Sequence, residues 1–371
     1  MPAADALNAR QVHAVLPGDV DDVTVPSGGN TYDRRVCREL AAAGWRVRET
    51  AVPGGWPRPD AAARAGLDRA LAALPDGATV LADGLVVCGS PKVVVPHARR
   101  LRLAVLVHLP LGAETGLPSA AARELDAAER ETLHAAAAVI ATSARAARDL
   151  VRRHGLDPAR VHVAPPGVDL APPVPGSADG SRLLCVAAVI PRKGQDVLVR
   201  ALGELADLAW TCVCAGSLSR DPGYAARVRA LIGELGLGGR VRLAGPYTGD
   251  RLAAVYAAAD LLVLPTRGET YGMVVTEALA RGLPVLATDV DAVPDTLGRA
   301  PDGGRPGLLV PADDPPALAE ALRRWLEDPA LRATARAAAL ARRDALDGWD
   351  TTARALTGVL ERIRWQPVPA S

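Results

Sequence analysis

The chain has 371 residues, 49% of them apolar and 23% charged, a length and balance that suit two globular domains and exclude a disordered or fibrous chain. A formal net charge of +1 gives no electrostatic footing for nucleic acid and little for a membrane surface, so neither is expected as a partner. The opening MPAADALNAR has no signal-peptide pattern, no apolar run reaches transmembrane length, and the five scattered cysteines lack zinc or redox spacing, so a reducing, cytoplasmic location is expected.

In chain order, Val12–Leu16 is a short apolar strand. It leads into Pro26-Ser27-Gly28-Gly29-Asn30, and the spacing of Val36, Cys37, Leu40 and Ala41 predicts a helix from about Thr31 to Ala43, stopped by Gly44. A strand, a glycine pair and a helix make a turn where backbone can approach a ligand closely. Asp19, Asp21 and Asp22 read either as an acidic rim facing an acceptor or as solvated loop charge. Arg46–Val52 is the next strand, and Leu67, Leu71 and Leu74 mark a helix closed by Pro75-Asp76-Gly77. Thr79–Ala82 and Leu103–Val107 are further strands. The second of them delivers His108 just past its end, where such sheets present side chains to ligands; a structural histidine is the other reading. Loops 17–30, 53–60 and 83–92 carry no pattern that names an acceptor. A long helix with Leu125 and Leu133 leads to Ala138–Thr142, Ser143 is a candidate N-cap, and Val161–Ala164 is one more strand. The Pro/Gly/Ser-rich passage after it, ending in PPVPGSADGS, reads as a linker and puts a domain boundary near residue 170.

The second half opens with the strand Leu183–Ala188 and a turn carrying adjacent Arg192 and Lys193, then a helix with Val197, Ala201, Leu202 and Leu205. Two cations at a strand–helix turn suit a diphosphate, although alone they suit an exposed basic turn as well. Thr211–Ala215, whose Cys212 and Cys214 read as small buried hydrophobes, ends in Gly216, where backbone could approach a nucleotide. Val241–Ala244 leads to Tyr247, which either stacks on a base or stands in an exposed loop. The most informative stretch is Asp260–Asp289. Leu261–Leu264 reads as a buried parallel strand, Pro265–Gly272 as a polar turn, and a helix then runs to a stop at Gly282, with Pro284–Ala287 the next strand. Glu269 lies in the turn and Glu277 eight positions on, in the helix. Ligands of open α/β sheets bind beyond the carboxyl ends of the strands, so both carboxylates face that place, and the helix start between them suits a phosphate or diphosphate. Gly307–Val310, a helix from about Pro315 and a helical region at Trp349–Ile363 complete the chain.

The E-x7-E pair embedded in GETYGMVVTEALARGLPVLATD resembles the donor-site signature of retaining, nucleotide-sugar-dependent glycosyltransferases of family 4. That resemblance implies an α/β GT-B fold, two Rossmann-like domains facing across a cleft. Residues 1–170 would form the acceptor-side domain, 171–345 the nucleotide-sugar domain, and 346–371 a C-terminal helix packing back on the first. It implies that Glu269 lies at the donor sugar and Glu277 on the ribose hydroxyls. The backbone amides of Thr270, Tyr271, Gly272, Met273 and Val274 would hold sugar hydroxyls and the diphosphate. PRKGQDVL resembles the family's phosphate-binding loop, which assigns Lys193 to the diphosphate. The family places a glycine pair, here Gly28 and Gly29, near the donor phosphates, a histidine, here His108, near the sugar, and nucleobase contacts around Tyr247. One departure is Ala188, where the family often carries arginine; Arg192 is the candidate to restore that charge.

The implied reaction moves a sugar from a nucleotide diphosphate sugar, UDP-linked among the candidates, to the hydroxyl of a small-molecule acceptor, giving an α-glycoside. No cofactor is expected, and no metal, because no DxD motif stands out at a suitable loop. The alternatives are a nucleotide-sugar-binding protein without transferase activity, or another GT-B sugar enzyme, phosphorylase-like or epimerase-like. A nicotinamide dehydrogenase is disfavoured, since GxGxxG is missing after the first strand.

Overall fold

Short apolar runs separated by helices leave parallel pairing as the accessible arrangement, because each strand must return to the same edge after a helical crossover. The computed structural model describes residues 10–365, and in it the strands form two six-stranded sheets whose recorded pairings are all parallel. The first nine residues, read above for targeting, and the last six lie outside the described residues. Two units result: one holds the chain up to Asp21, Gly28–Gly167 and the chain from Gly348 on, the other Asp22–Ser27 and Val168–Asp347.

In the first unit β1 (Gln11–Pro17), β2 (Arg46–Val52), β3 (Thr79–Asp83), β4 (Arg102–Val107), β5 (Ala138–Ala141) and β6 (Val161–Val163) lie in the order β2-β1-β3-β4-β5-β6. The order reverses between β1 and β3, so the carboxyl ends of β1 and β3 border the switch point at which such sheets bind ligands, with β4 beside β3. β3 and β5 are buried along their whole length, as strands covered by helices on both faces must be. The helix Trp349–Arg364 belongs to this unit: Trp349 stands edge-on to Tyr32 at 5.7 Å, and Thr352 Oγ1 donates to the Pro165 carbonyl at 2.7 Å.

The second unit contains β7 (Arg182–Val186), β8 (Thr211–Ala215), β9 (Val241–Gly245), β10 (Leu261–Leu264), β11 (Val285–Thr288) and β12 (Gly307–Val310), in the order β12-β11-β10-β7-β8-β9. Its switch point falls between β7 and β10, which places the Arg192–Lys193 turn beside the Glu269 turn. Leu and Val fill both cores, with Trp210 and Trp325 buried here and Trp45 and Trp349 in the first unit, in a chain that has no phenylalanine.

Several local expectations are corrected. The first helix spans Gly28–Ala42, so Gly28 and Gly29 form its opening turn and do not lie in a loop before it. A helix's first N–H groups need no intrahelical partner, which removes the usual penalty on glycine there, and Asn30 anchors the turn by donating to the Asp19 carbonyl at 3.0 Å. The stretch 83–92 is not a loop: Asp83 caps a short helix at Gly84–Val87, and Pro91 opens another at Pro91–Ala98. Of the loop aspartates, Asp21 is held by Arg34, which reads as solvated surface pairing. All five cysteines are buried and unpaired, and no helix among the described residues is long and apolar enough to cross a membrane.

Candidate functional site

Two backbone turns meet at the second unit's switch point. Gly194 adopts φ +67°, and a side chain there would run into the Pro265 carbonyl; glycine is what lets the 191–194 turn lie flat on the 265–272 turn. Arg267 N–H donates to the Arg192 carbonyl at 2.7 Å, and Thr266 Oγ1 lies 3.0 Å from the same oxygen. These bonds bring Lys193 Nζ onto Glu269 Oε1, with Arg192 Nη1 3.9 Å from Oε2 and also donating to the Gly268 carbonyl at 3.3 Å. The residue at the Ala188 position contributes no charge, and the Arg192 guanidinium reaches the carboxylate instead.

Glu269 is 8% exposed. Burial pushes its carboxyl up, but Lys193 and Arg192 outweigh burial and hold it below the usual carboxylate range. Its own N–H is taken by Asp291 Oδ2 at 3.0 Å, which fixes the turn. Gly272 follows at φ +90° and starts the helix Met273–Leu279 with no side chain capping its amides. Thr270 and Tyr271 are half-buried in the turn, and the Tyr271 carbonyl accepts from Thr296 Oγ1 at 2.6 Å. Met273 and Val274 form the helix's first two residues. Along that helix, Glu277 Oε2 accepts from the fully buried Tyr256 phenol at 2.8 Å. Burial raises the Glu277 carboxyl, against the pull of Tyr256 and Arg281.

Two sequence candidates have structural explanations of their own. A side chain at Gly216 would strike the Ala187 carbonyl, so close packing of backbone accounts for that glycine. Tyr247 is half-buried under Arg251, whose guanidinium carbon lies 4.4 Å from the ring centroid.

In the first unit, His108 leaves the end of β4 with its Nε2 2.9 Å from Asp33 Oδ1. A Cβ on Gly29 would stand 3.1 Å from His108 Cδ2, so the ring packs on the glycine backbone; Tyr32 meets it edge-on at 5.2 Å. Asp83, at the end of β3, caps Leu85 N–H at 2.7 Å and lies in hydrogen-bond reach of Asp33. Sequence reasoning missed Asp33. The available signal was that it sits one helical turn after Gly29, so both point to the same side. Also missed was Glu129, fully buried, which accepts the Leu111 N–H at 3.2 Å and the His154 ring at 3.0 Å and so pins the segment after His108. In both groups a histidine nitrogen lies on a carboxylate, His108 on Asp33 at 2.9 Å and His154 on Glu129 at 3.0 Å.

Residues 26–172 match the family described as Glycosyltransferase Family 4, and residues 180–328 the one described as Glycosyl transferases group 1. A D-inositol 3-phosphate glycosyltransferase from Kineococcus radiotolerans is 37% identical over 67% of this chain and 62% of its own length. One from Rhodococcus opacus is 32% identical over 76% and 63%. The matched stretch thus spans less than two thirds of these relatives. Sucrose-phosphate synthase from Thermosynechococcus elongatus superposes with a TM-score of 0.79 at 23% identity, over 95% of this chain and 99% of that one. Anabaena Alr3699/HepE, solved with UDP-glucose, gives 0.76 at 17% identity over 95% and 99%. At these identities the two structures establish the fold.

Proposed function

The chain belongs to the GT-B glycosyltransferases of family 4 and group 1, and from that membership we propose that it transfers a sugar from a nucleotide diphosphate sugar to an acceptor hydroxyl with retention of configuration. The observation that carries the proposal is the Lys193–Glu269 pair, with Arg192 beside it, at the switch point of β7 and β10 next to an uncapped helix start. Breaking the glycosidic bond puts negative charge on the departing diphosphate, and preorganised cations in a site shielded from water stabilise that charge far better than solvent does. Lys193 and Arg192 supply it, with the amides of the Thr270–Val274 stretch. Glu269 orients the sugar through its hydroxyls and Glu277 accepts from the ribose. His108 is assigned to a sugar hydroxyl by the family resemblance. Because the neutralising cations are the protein's own, the scheme needs no divalent ion. The diphosphate takes the acceptor proton on the face it leaves, which yields an α-glycoside from an α-linked donor. Buried free thiols suit a reducing cytoplasm.

The relatives' names make a polyol phosphate the first acceptor to test, and the UDP-glucose held by one structural neighbour makes UDP-sugars the first donors. Release of nucleoside diphosphate that depends on the acceptor is the expected activity. Glu269→Gln and Lys193→Ala should each reduce it by at least about a hundredfold, and Glu277→Ala should mainly raise the donor KM. Full activity in both of the first two variants would overturn the site assignment, and a product with inverted anomeric configuration would overturn retention.

A further inference from the structure

Building on the reading of His108 as a substrate-facing residue, we propose that Asp33 and Asp83 are its positioning residues, a carboxyl pair that shares one proton, with Asp83 the acid and Asp33 the carboxylate that holds the imidazole.

The ring is gripped from three directions by one helix. Gly29 gives it a flat floor, Tyr32 closes an edge, and Asp33 takes Nε2 at 2.9 Å. Tyr32 is itself fixed, its phenol donating to the Ala164 carbonyl at 2.9 Å and its ring braced by Trp349. Behind Asp33 stands Asp83. The two aspartates are 3% and 4% exposed, and the donor atoms of Asp33, Asp83 and His108 all lie within 4.8 Å of one another. Two carboxylates this close and this buried cannot both keep a negative charge, so one retains a proton.

Geometry decides which. Asp33 Oδ1 faces the imidazole and must accept, while its Oδ2 is buried and meets no N–H or O–H donor among the described residues. A proton on Asp83 supplies that missing donor. Asp83 Oδ1 is occupied as the acceptor of Leu85 N–H, which leaves Oδ2 to carry the proton toward Asp33. Burial, then the Asp33 charge, push the Asp83 carboxyl well above the usual range. Facing His108 are Asp33 and Tyr32 from the helix and Asp83 from β3 among others, while Trp349–Arg364 contributes the Trp349 ring behind Tyr32. Burial lowers the His108 pKa, yet the charge and hydrogen bond of Asp33 win, and the net direction is upward. The consequence is a ring locked with Nε2–H on Asp33 and held cationic to higher pH than a free imidazole.

The test uses the full chain, with His108 followed by nitrogen NMR and the Asp83 carboxyl by carbon NMR, beside acceptor-dependent release of nucleoside diphosphate. In the wild type the Asp83 carboxyl should be protonated at about pH 7, where a free one is ionised. Asp83→Asn keeps both bonds, its amide N–H replacing the acid and its carbonyl capping Leu85. It should therefore leave the His108 titration in place and kcat within about threefold. Asp33→Asn should lower the His108 pKa by at least about one unit and reduce kcat with the donor KM little changed. An ionised Asp83 in the wild type, or an Asp83→Asn as damaging as Asp33→Asn, would overturn the proposal. The Asp83 measurement needs no variant, so it stands even where Asp33→Asn fails to fold. The NMR readouts need no substrate. A wild type with this ring chemistry and no transferase activity would thus count against the proposed function and leave the carboxyl pair intact.

Discussion

Glu277 shows how much a single buried contact can set a carboxyl's chemistry. Burial raises its carboxyl; the Tyr256 phenol at 2.8 Å opposes that rise and favours the charged form, the better acceptor for hydroxyl groups. Tyr256→Phe should therefore raise the donor KM several-fold, about 3–10-fold, with kcat nearly unchanged, as read by steady-state kinetics at neutral pH. An unchanged KM would mean that Glu277 does not touch the donor. Glu269 and Glu277 were legible in the sequence because a strand, a turn and a helix sit contiguously around them. Asp33 was not, since what gives it meaning is His108, 75 residues away, and a lone aspartate on a helix face is ordinarily solvated.

At the scale of elements, the phosphate-loop candidate is held by a network that spacing alone did not disclose. Asp196, in the first turn of the helix Gln195–Gly203, binds both ends of the Arg267 guanidinium at 3.1 Å and accepts from the Tyr224 phenol at 2.6 Å, while Arg267 also reaches Asp313 at 2.5 Å. It fastens the helix that follows Lys193 to the Glu269 turn. Burial raises the Asp196 carboxyl, but Arg267, Tyr224 and Arg200 prevail and bring it from 3.8 down to about 2. A carboxyl depressed on folding contributes stability that is complete above its unfolded value and disappears as pH falls through its folded one. Asp196→Asn should therefore lower the melting temperature by about 2–4 °C at neutral pH, with the gap to wild type closing between about pH 4 and pH 2. A gap that persists at the acid end would show that the charge is not what matters. The strands and their order of appearance were legible from short apolar runs. The helices at 84–98 were not, because they are brief, rich in valine, and depend on the Asp83 cap and on Pro91 for their starts.

For the whole molecule, each of the two sheets reverses its strand order once, after two strands in the first unit and after three in the second, and each switch point gathers charged side chains at its strands' carboxyl ends. A Pro/Gly-rich linker can be seen in the sequence. Periodicity gives the last helix a buried face and not the surface that buries it, so its place on the first unit is implied by the family resemblance and not by the spacing. Here Trp349 lies against Tyr32, which in turn edges His108, so the first turn of the last helix braces the first unit's candidate site. The claim on which the account turns is that Lys193, Glu269 and Glu277 hold an activated sugar. A crystal structure with a nucleotide sugar bound tests it most directly. The account predicts the diphosphate within hydrogen-bond distance of Lys193 Nζ, sugar hydroxyls on Glu269 and the ribose on Glu277. A nucleotide lodged elsewhere, with Lys193 still on Glu269 and Glu277 still bound only to Tyr256, would contradict it.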